Sequence, residues 1–272
     1  MNIAAILFTN IAFLFSGAHL FAENKADTSG YYVSFDSTKI YYEVKGSGAP
    51  VILVHGFMNS GEAWKRTELY KLLQTKGFQV ITLDMRGNGK SDKPHVSTAY
   101  ANDAEAKDII YLANLLLLRS YDLVGYSRGS IIAARLLVMD KRIGKAVIGG
   151  MGTDFTDPEW PRRKMFYNAL MGEPVKELEG VIKYIKEAKL DQMALALMQK
   201  EQPSTSTREL KAIEQTVLVI IGESDEDKQK ARDLAGIFKK SEYALVPGDH
   251  GSALRTKEFA ETVVVFLNKK TD

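Results

Sequence analysis

A chain of 272 residues, 45% hydrophobic and 26% charged, can bury a substantial core, and its length suits one large α/β domain or two small ones. A formal net charge of +2 offers no basic stripe for nucleic acid, and the absence of cysteine excludes structural disulfides, a thiolate nucleophile, Cys-ligated zinc and a lipidated cysteine. The four histidines, His19, His55, His95 and His250, have no metal-site spacing such as H-E-x-x-H, which argues against a metalloenzyme.

The opening segment, MNIAAILFTNIAFLFSGAHLFA (residues 1–22), carries no charged side chain. Its apolar stretch is interrupted by Thr9 and Asn10 and falls short of the about 20 residues of a membrane span. Small residues follow, with cleavage positions after Ala18 or Ala22. This pattern predicts an export signal and a periplasmic or secreted protein with no stable membrane insertion once the signal is removed. The segment lacks the usual Lys or Arg, and an uncleaved N-terminal anchor or a buried helix are the alternatives.

The next segments, YYVSF and KIYYEV, flank Asp36, Ser37 and Thr38 and predict an antiparallel hairpin. From there short Val/Ile/Leu runs alternate with helical stretches. PVILVHG precedes a helix over about 62–75, FQVITLD one over about 103–117, and YDLVGYS the run IIAARLLVM. KAVIGGMG is followed by an interruption, after which come TVLVIIGESD, a polar helix, YALVPGDH and FAETVVVFLNKK. Such alternation predicts a mostly parallel α/β sheet of about eight strands with helices on both faces and no internal repeat. The interruption, residues 153–212, is too long for a plain loop and predicts a small helical lid after the sixth strand. The core is thereby divided into residues 23–152 and 213–272.

In open parallel sheets functional groups gather at the carboxyl ends of the strands. Ser127 stands there between Gly125 and Gly129, where a sharp strand-to-helix turn would expose its hydroxyl. Asp225 follows TVLVIIG, and His250 follows YALVPGD. A neutral serine needs an imidazole to take its proton, and the imidazole needs a carboxylate to hold its tautomer.

Together with VHGF at 54–57, DMRGNGKSDKP at 84–94, GESD at 222–225 and GDHG at 248–251, these segments resemble the α/β-hydrolase family over nearly the whole chain after the leader. The resemblance implies that Ser127 is the nucleophile, His250 the base and acid in turn, and Asp225 the orienting carboxylate. It also implies an oxyanion hole made by the backbone N–H groups of Phe57 and Arg128. Glu223, Asp227, Asp249 and Asp154 are the competing acids. The implied reaction is cleavage of small or medium carboxylic esters through an acyl-enzyme, with no cofactor or metal and a small-molecule substrate as partner. Perhydrolysis, acyl transfer, carbon–carbon bond hydrolysis and a silent ligand-binding role are alternatives. A serine at this turn argues against the family's epoxide hydrolases and haloalkane dehalogenases, which carry an aspartate there.

Several residues remain open at this stage. Arg128 and the cluster Arg162, Arg163 and Lys164 could favour an anionic group, solvated surface charge being the simpler reading. Trp160, Met165, Phe166, Tyr167 and Met171 could line an apolar pocket or pack the lid onto its domain. Trp64 could face the site or pack the core. Gly89-Lys90-Ser91 ends like a phosphate-binding loop, but Asp84 stands where the leading glycine belongs, and Asp84 and Arg86 read as structural.

Overall fold

The computed structural model describes residues 27–270, so the export signal expected over residues 1–22 lies outside the described residues. Strands β1 (Thr28–Val33) and β2 (Lys39–Lys45) form the antiparallel hairpin, which turns through Ser37 at a left-handed φ of 71°. The remaining strands are β3 (Pro50–Val54), β4 (Gln79–Leu83), β5 (Tyr121–Tyr126), β6 (Ile143–Gly149), β7 (Thr216–Gly222) and β8 (Ser241–Val246). They form one eight-stranded sheet in the order β1-β2-β4-β3-β5-β6-β7-β8. β2 meets β4 antiparallel, and β3 to β8 run parallel.

The central strands read as unbroken apolar runs because both faces of the sheet are covered. Successive residues of β3 divide between two cores: Val51 and Leu53 face one, Ile52 and Val54 the other. Helices α2 (Glu68–Thr75) and α10 (Lys257–Asn268) cover the first face with Leu69, Leu73, Phe259 and Val263. Helices α3 (Ala104–Leu115), α4 (Arg128–Met139) and α9 (Lys228–Ala235) cover the second with Ile109, Leu112, Ile132, Leu136 and Leu234. The helix expected over 62–75 is broken into α1 (Glu62–Lys65) and α2, because Thr67 turns extended and caps α2, its hydroxyl accepting the Tyr70 N–H. Trp64 is buried in the first core, so packing is its role.

Between β6 and β7 lie α5 (Pro161–Leu170), α6 (Glu179–Glu187), α7 (Gln192–Lys200) and α8 (Thr207–Lys211). Helices α5 to α7 share a third apolar cluster around Leu170, Ile185, Leu195 and Met198, with Tyr100 from the loop after β4. Leu210 of α8 instead joins the core of the second sheet face. Among the described residues no helix is long and apolar enough to cross a membrane.

A buried ionic knot anchors the hairpin to α3. Arg86, fully buried, donates to both carboxylate oxygens of Asp108 at 2.7 and 2.6 Å and to Asp36 at 2.7 Å, and the Ser34 hydroxyl donates to Asp108 at 2.6 Å. Burial pushes the Asp108 carboxyl up to about 6 against the pull of Arg86. Asp84 accepts the N–H groups of Gly61 and Lys90 at 2.8 and 2.7 Å, so Asp84 and Arg86 both hold the loop after β4 together.

Candidate active site

Strand β5 runs into α4 through Ser127, whose backbone sits at φ 54° and ψ −124°. That strained conformation persists because the surroundings leave no alternative. A Cβ on Gly125 would lie 2.4 Å from the Gly129 carbonyl oxygen, and one on Gly129 would lie 2.1 Å from that of Val54. Only glycine lets strand and helix approach so closely. The Ser127 N–H donates to the Gly149 carbonyl at 2.8 Å, which fixes the turn to β6.

The ends of β7 and β8 bring two further groups to the same edge. The Ser127 Oγ lies 3.0 Å from His250 Nε2, and His250 Nδ1 lies 3.1 Å from Asp225 Oδ2. Against a carboxylate Nδ1 must carry the proton, which leaves the Nε2 lone pair facing the serine hydroxyl. The imidazole is held from its backbone: the Tyr126 hydroxyl donates to the His250 carbonyl at 2.8 Å. Asp249 shapes the turn beside it by accepting the N–H groups of Gly251 and Ser252 at 3.0 and 2.9 Å.

Burial pushes the Asp225 carboxyl up, but the His250 ring and the Asp227 N–H at 3.0 Å outweigh it, and the group lies below the ordinary carboxylate value. It is therefore an anion at neutral pH. Among the described residues none of the competing acids is hydrogen-bonded to the His250 ring. Asp154 and Asp227 both contact Lys230, at 2.7 and 3.0 Å, and Glu223 is exposed.

One contributor was not foreseen. His55 is buried; its Nε2 accepts the Met85 N–H at 3.0 Å, so Nδ1 carries the proton and donates to the Gly56 carbonyl at 2.8 Å. Burial lowers the His55 pKa and keeps the ring neutral. This orients the peptide whose N–H belongs to Phe57. Gly56 itself rests on the elbow, since a Cβ there would meet Ser127 Cβ at 3.3 Å. Arg128 is the first residue of α4, where an N–H has no acceptor within the helix. Among the described residues neither the Phe57 nor the Arg128 N–H has a hydrogen-bond acceptor.

A cavity of about 490 Å³ opens over Ser127 and His250. Trp160 and Phe166 line it, Phe166 meeting the Phe57 ring edge-on at 5.8 Å. Met165, Tyr167 and Met171 do not: Tyr167 packs into the third cluster and Met171 points to solvent, because only one face of α5 looks at the cavity. Nor is the Arg128 guanidinium free for an anion. It is buried and donates to both oxygens of Glu105 at 2.7 and 2.5 Å and to the Met198 carbonyl at 3.1 Å. Lys164 is paired with Glu159, whereas Arg162 and Arg163 line the cavity.

A family model described as the alpha/beta hydrolase fold matches residues 49–202. The putative non-heme chloroperoxidase of Synechocystis sp. is 40% identical over 111 residues, 40% of this chain and 39% of that protein. An epoxide hydrolase of Caballeronia sordidicola is 29% identical over 119 residues, 44% of this chain and 36% of that one. The chain thus spans about two fifths of the length of these relatives. The solved esterase from Exiguobacterium antarcticum superposes with a TM-score of 0.75 at 21% identity, covering 89% of this chain and 100% of the other, a likeness of fold. Sheet order, elbow and the family match over residues 49–202 agree: the chain belongs to the α/β-hydrolase fold family.

Proposed function

We propose that this hydrolase cleaves carboxylic esters of small or medium acyl groups through a covalent acyl-enzyme. The observation that carries the reading is the chain of two hydrogen bonds, Ser127 Oγ to His250 Nε2 at 3.0 Å and His250 Nδ1 to Asp225 Oδ2 at 3.1 Å. As Ser127 attacks the ester carbonyl, its proton passes to Nε2, and the Asp225 anion stabilises the imidazolium. The carbonyl oxygen becomes an oxyanion beside the Phe57 and Arg128 N–H groups, which have no other acceptor to give up. His250 then returns the proton to the leaving alkoxide, leaving an ester between the acyl group and Ser127. Water, deprotonated by the same Nε2, releases the acid.

A second reading is favoured by the 40% identity to a putative non-heme chloroperoxidase. Hydrogen peroxide in place of water would attack the acyl-enzyme, restoring the Ser127 hydroxyl and releasing a peroxy acid. An epoxide-opening reaction is supported less well, because it would need a carboxylate where the elbow presents Ser127.

A serine-directed fluorophosphonate, mapped by mass spectrometry, is expected to label Ser127. Turnover of 4-nitrophenyl esters with water and peroxide as competing acceptors then separates acid from peroxy acid. Folded protein that neither labels nor turns over any ester would overturn the reading.

A further inference from the structure

The roof of the cavity contains polar groups that the proposed acyl-enzyme chemistry does not use. Gln199 and Gln202, at the end of α7 and just beyond it, are each only 6% exposed and line the cavity. Among the described residues neither side-chain amide has a hydrogen-bond partner in the protein. Both amides line the cavity and are not among the fully buried atoms left without a partner, so a polar ligand could bond to them without displacing a protein hydrogen bond.

Beside them stands Arg163, half-buried, one nitrogen of which donates to the Gln202 carbonyl at 3.1 Å. That bond plants the guanidinium and leaves its other donors unspent. Arg162 lies over the Phe166 ring at 5.3 Å and, like Arg163, has no carboxylate partner among the described residues. The neighbouring Lys164 shows the contrast, being spent on Glu159. The opposite wall is acidic. Asp225 is engaged by His250, Asp227 by Lys230 and Asp249 by its own turn, while Glu226 is exposed at the rim. Across the cavity, then, runs a charge gradient that would draw an anionic group toward the roof and away from the β7–β8 side.

We infer that Arg162, Arg163, Gln199 and Gln202 form a carboxylate-recognition subsite, and that the substrates are compact esters whose acyl part carries a carboxylate. The inference rests on the reading of Ser127 as nucleophile only for where the ester carbonyl sits. A planar guanidinium matches a carboxylate with two parallel bonds, and the carboxamides can donate to its remaining lone pairs. A cavity of about 490 Å³ suits a short diacid monoester better than a long lipid chain.

The test separates binding from turnover. In full-length protein carrying S127A, binding of monomethyl glutarate and of its uncharged dimethyl ester is followed by the fluorescence of Trp160, which lines the same cavity. Charge-assisted hydrogen bonds of this kind correspond to roughly 10- to 100-fold in affinity, so the monoanion should bind at least about tenfold more tightly. R163Q should erase most of that preference, and R163K should restore part of it. Because Arg163 also holds the Gln202 carbonyl, Q199L is the second variant, and it too should weaken the anion more than the neutral ester. The preference should shrink as salt is raised. Equal binding of both ligands to S127A, or a preference that survives both R163Q and Q199L, overturns the subsite. With the wild-type chain, mono-4-nitrophenyl glutarate should be turned over with a lower KM than its methyl-capped counterpart. If S127A shows the preference while the wild type neither labels nor hydrolyses, the subsite stands and the acyl-enzyme reading falls. Labelling with no preference has the opposite meaning.

Discussion

The floor of the cavity and its roof are held by different means. The floor is the carboxyl edge of the parallel sheet: Ser127, Asp225 and His250 stand at the ends of β5, β7 and β8, and the backbone around them is packed so closely that Gly125 and Gly129 admit no side chain. The roof is α5 to α7, with an apolar cluster of its own that touches the body through Tyr100, Phe57 and Met58. Groups that must move a proton over about 3 Å need the first kind of support. A surface that selects among substrates can tolerate the second. Damage to the floor should therefore remove the chemistry, whereas damage to the roof should change what is accepted.

The largest effect expected is in the floor. If the proposed acyl-enzyme chemistry runs through Ser127 and His250 as one unit, replacing either by alanine should lower kcat by a factor on the order of 10⁶, and the double variant should be little worse. Additive losses in a kcat comparison would break the contrast at its centre. Asp225→Asn should cost on the order of 10⁴ in kcat, because the wrong imidazole tautomer then faces the serine. The pH dependence of D225N gives a second check. The Asp225 carboxyl lies below its ordinary value, so its contribution to folding is complete above an unfolded pKa of about 4 and is lost as the pH falls through the folded one. Acid unfolding of D225N should accordingly show a shallower approach than that of the parent chain.

Intermediate effects sit where the floor is braced. Arg86→Ala leaves Asp108 buried without its cation and should destabilise the chain by about 3–5 kcal/mol in denaturant unfolding. In the roof, Leu195→Ala empties part of the third cluster and should cost about 2–5 kcal/mol of packing. Its kinetic signature is a rise in KM greater than the fall in kcat. A kcat loss as deep as that of D225N would mean that roof and floor are one mechanical unit. Smallest of all should be His95→Ala, which removes the exposed pairing with Asp191 at the start of α7, at 2.9 Å, and should change stability by less than about 1 kcal/mol.

How much of this was legible before the structure differs between the same two regions. The central strands were visible as apolar runs because both of their faces are buried, whereas β1, β2 and β8, toward the sheet edges, are partly exposed. Ser127, Asp225 and His250 could be singled out because each lies at or within a few residues of the carboxyl end of a strand, and the topology then brings those ends together. The break at Thr67 was not visible, since a threonine amid helix-compatible residues announces a cap only once its backbone is seen to extend. His55 was seen as part of the Gly56-Phe57 segment, but its partner is the Met85 N–H, a backbone group that leaves no mark in the sequence. Arg128 reads from sequence as solvated surface charge, with an anion contact as the alternative, and it is neither, because Glu105, which pairs with it in the interior, lies on a different helix.

Local pattern alone therefore determined the alternation of strands and helices, the glycine-flanked turn at Ser127 and the order serine, acid, histidine. These depend on the period of apolar residues and on where a strand stops, and both are written in neighbouring residues. The tertiary structure decided which carboxylate serves His250, which cations are spent in ion pairs and which face the cavity. Those outcomes turn on distances of about 3 Å between groups far apart in the chain, where one competing partner is enough to commit a charge.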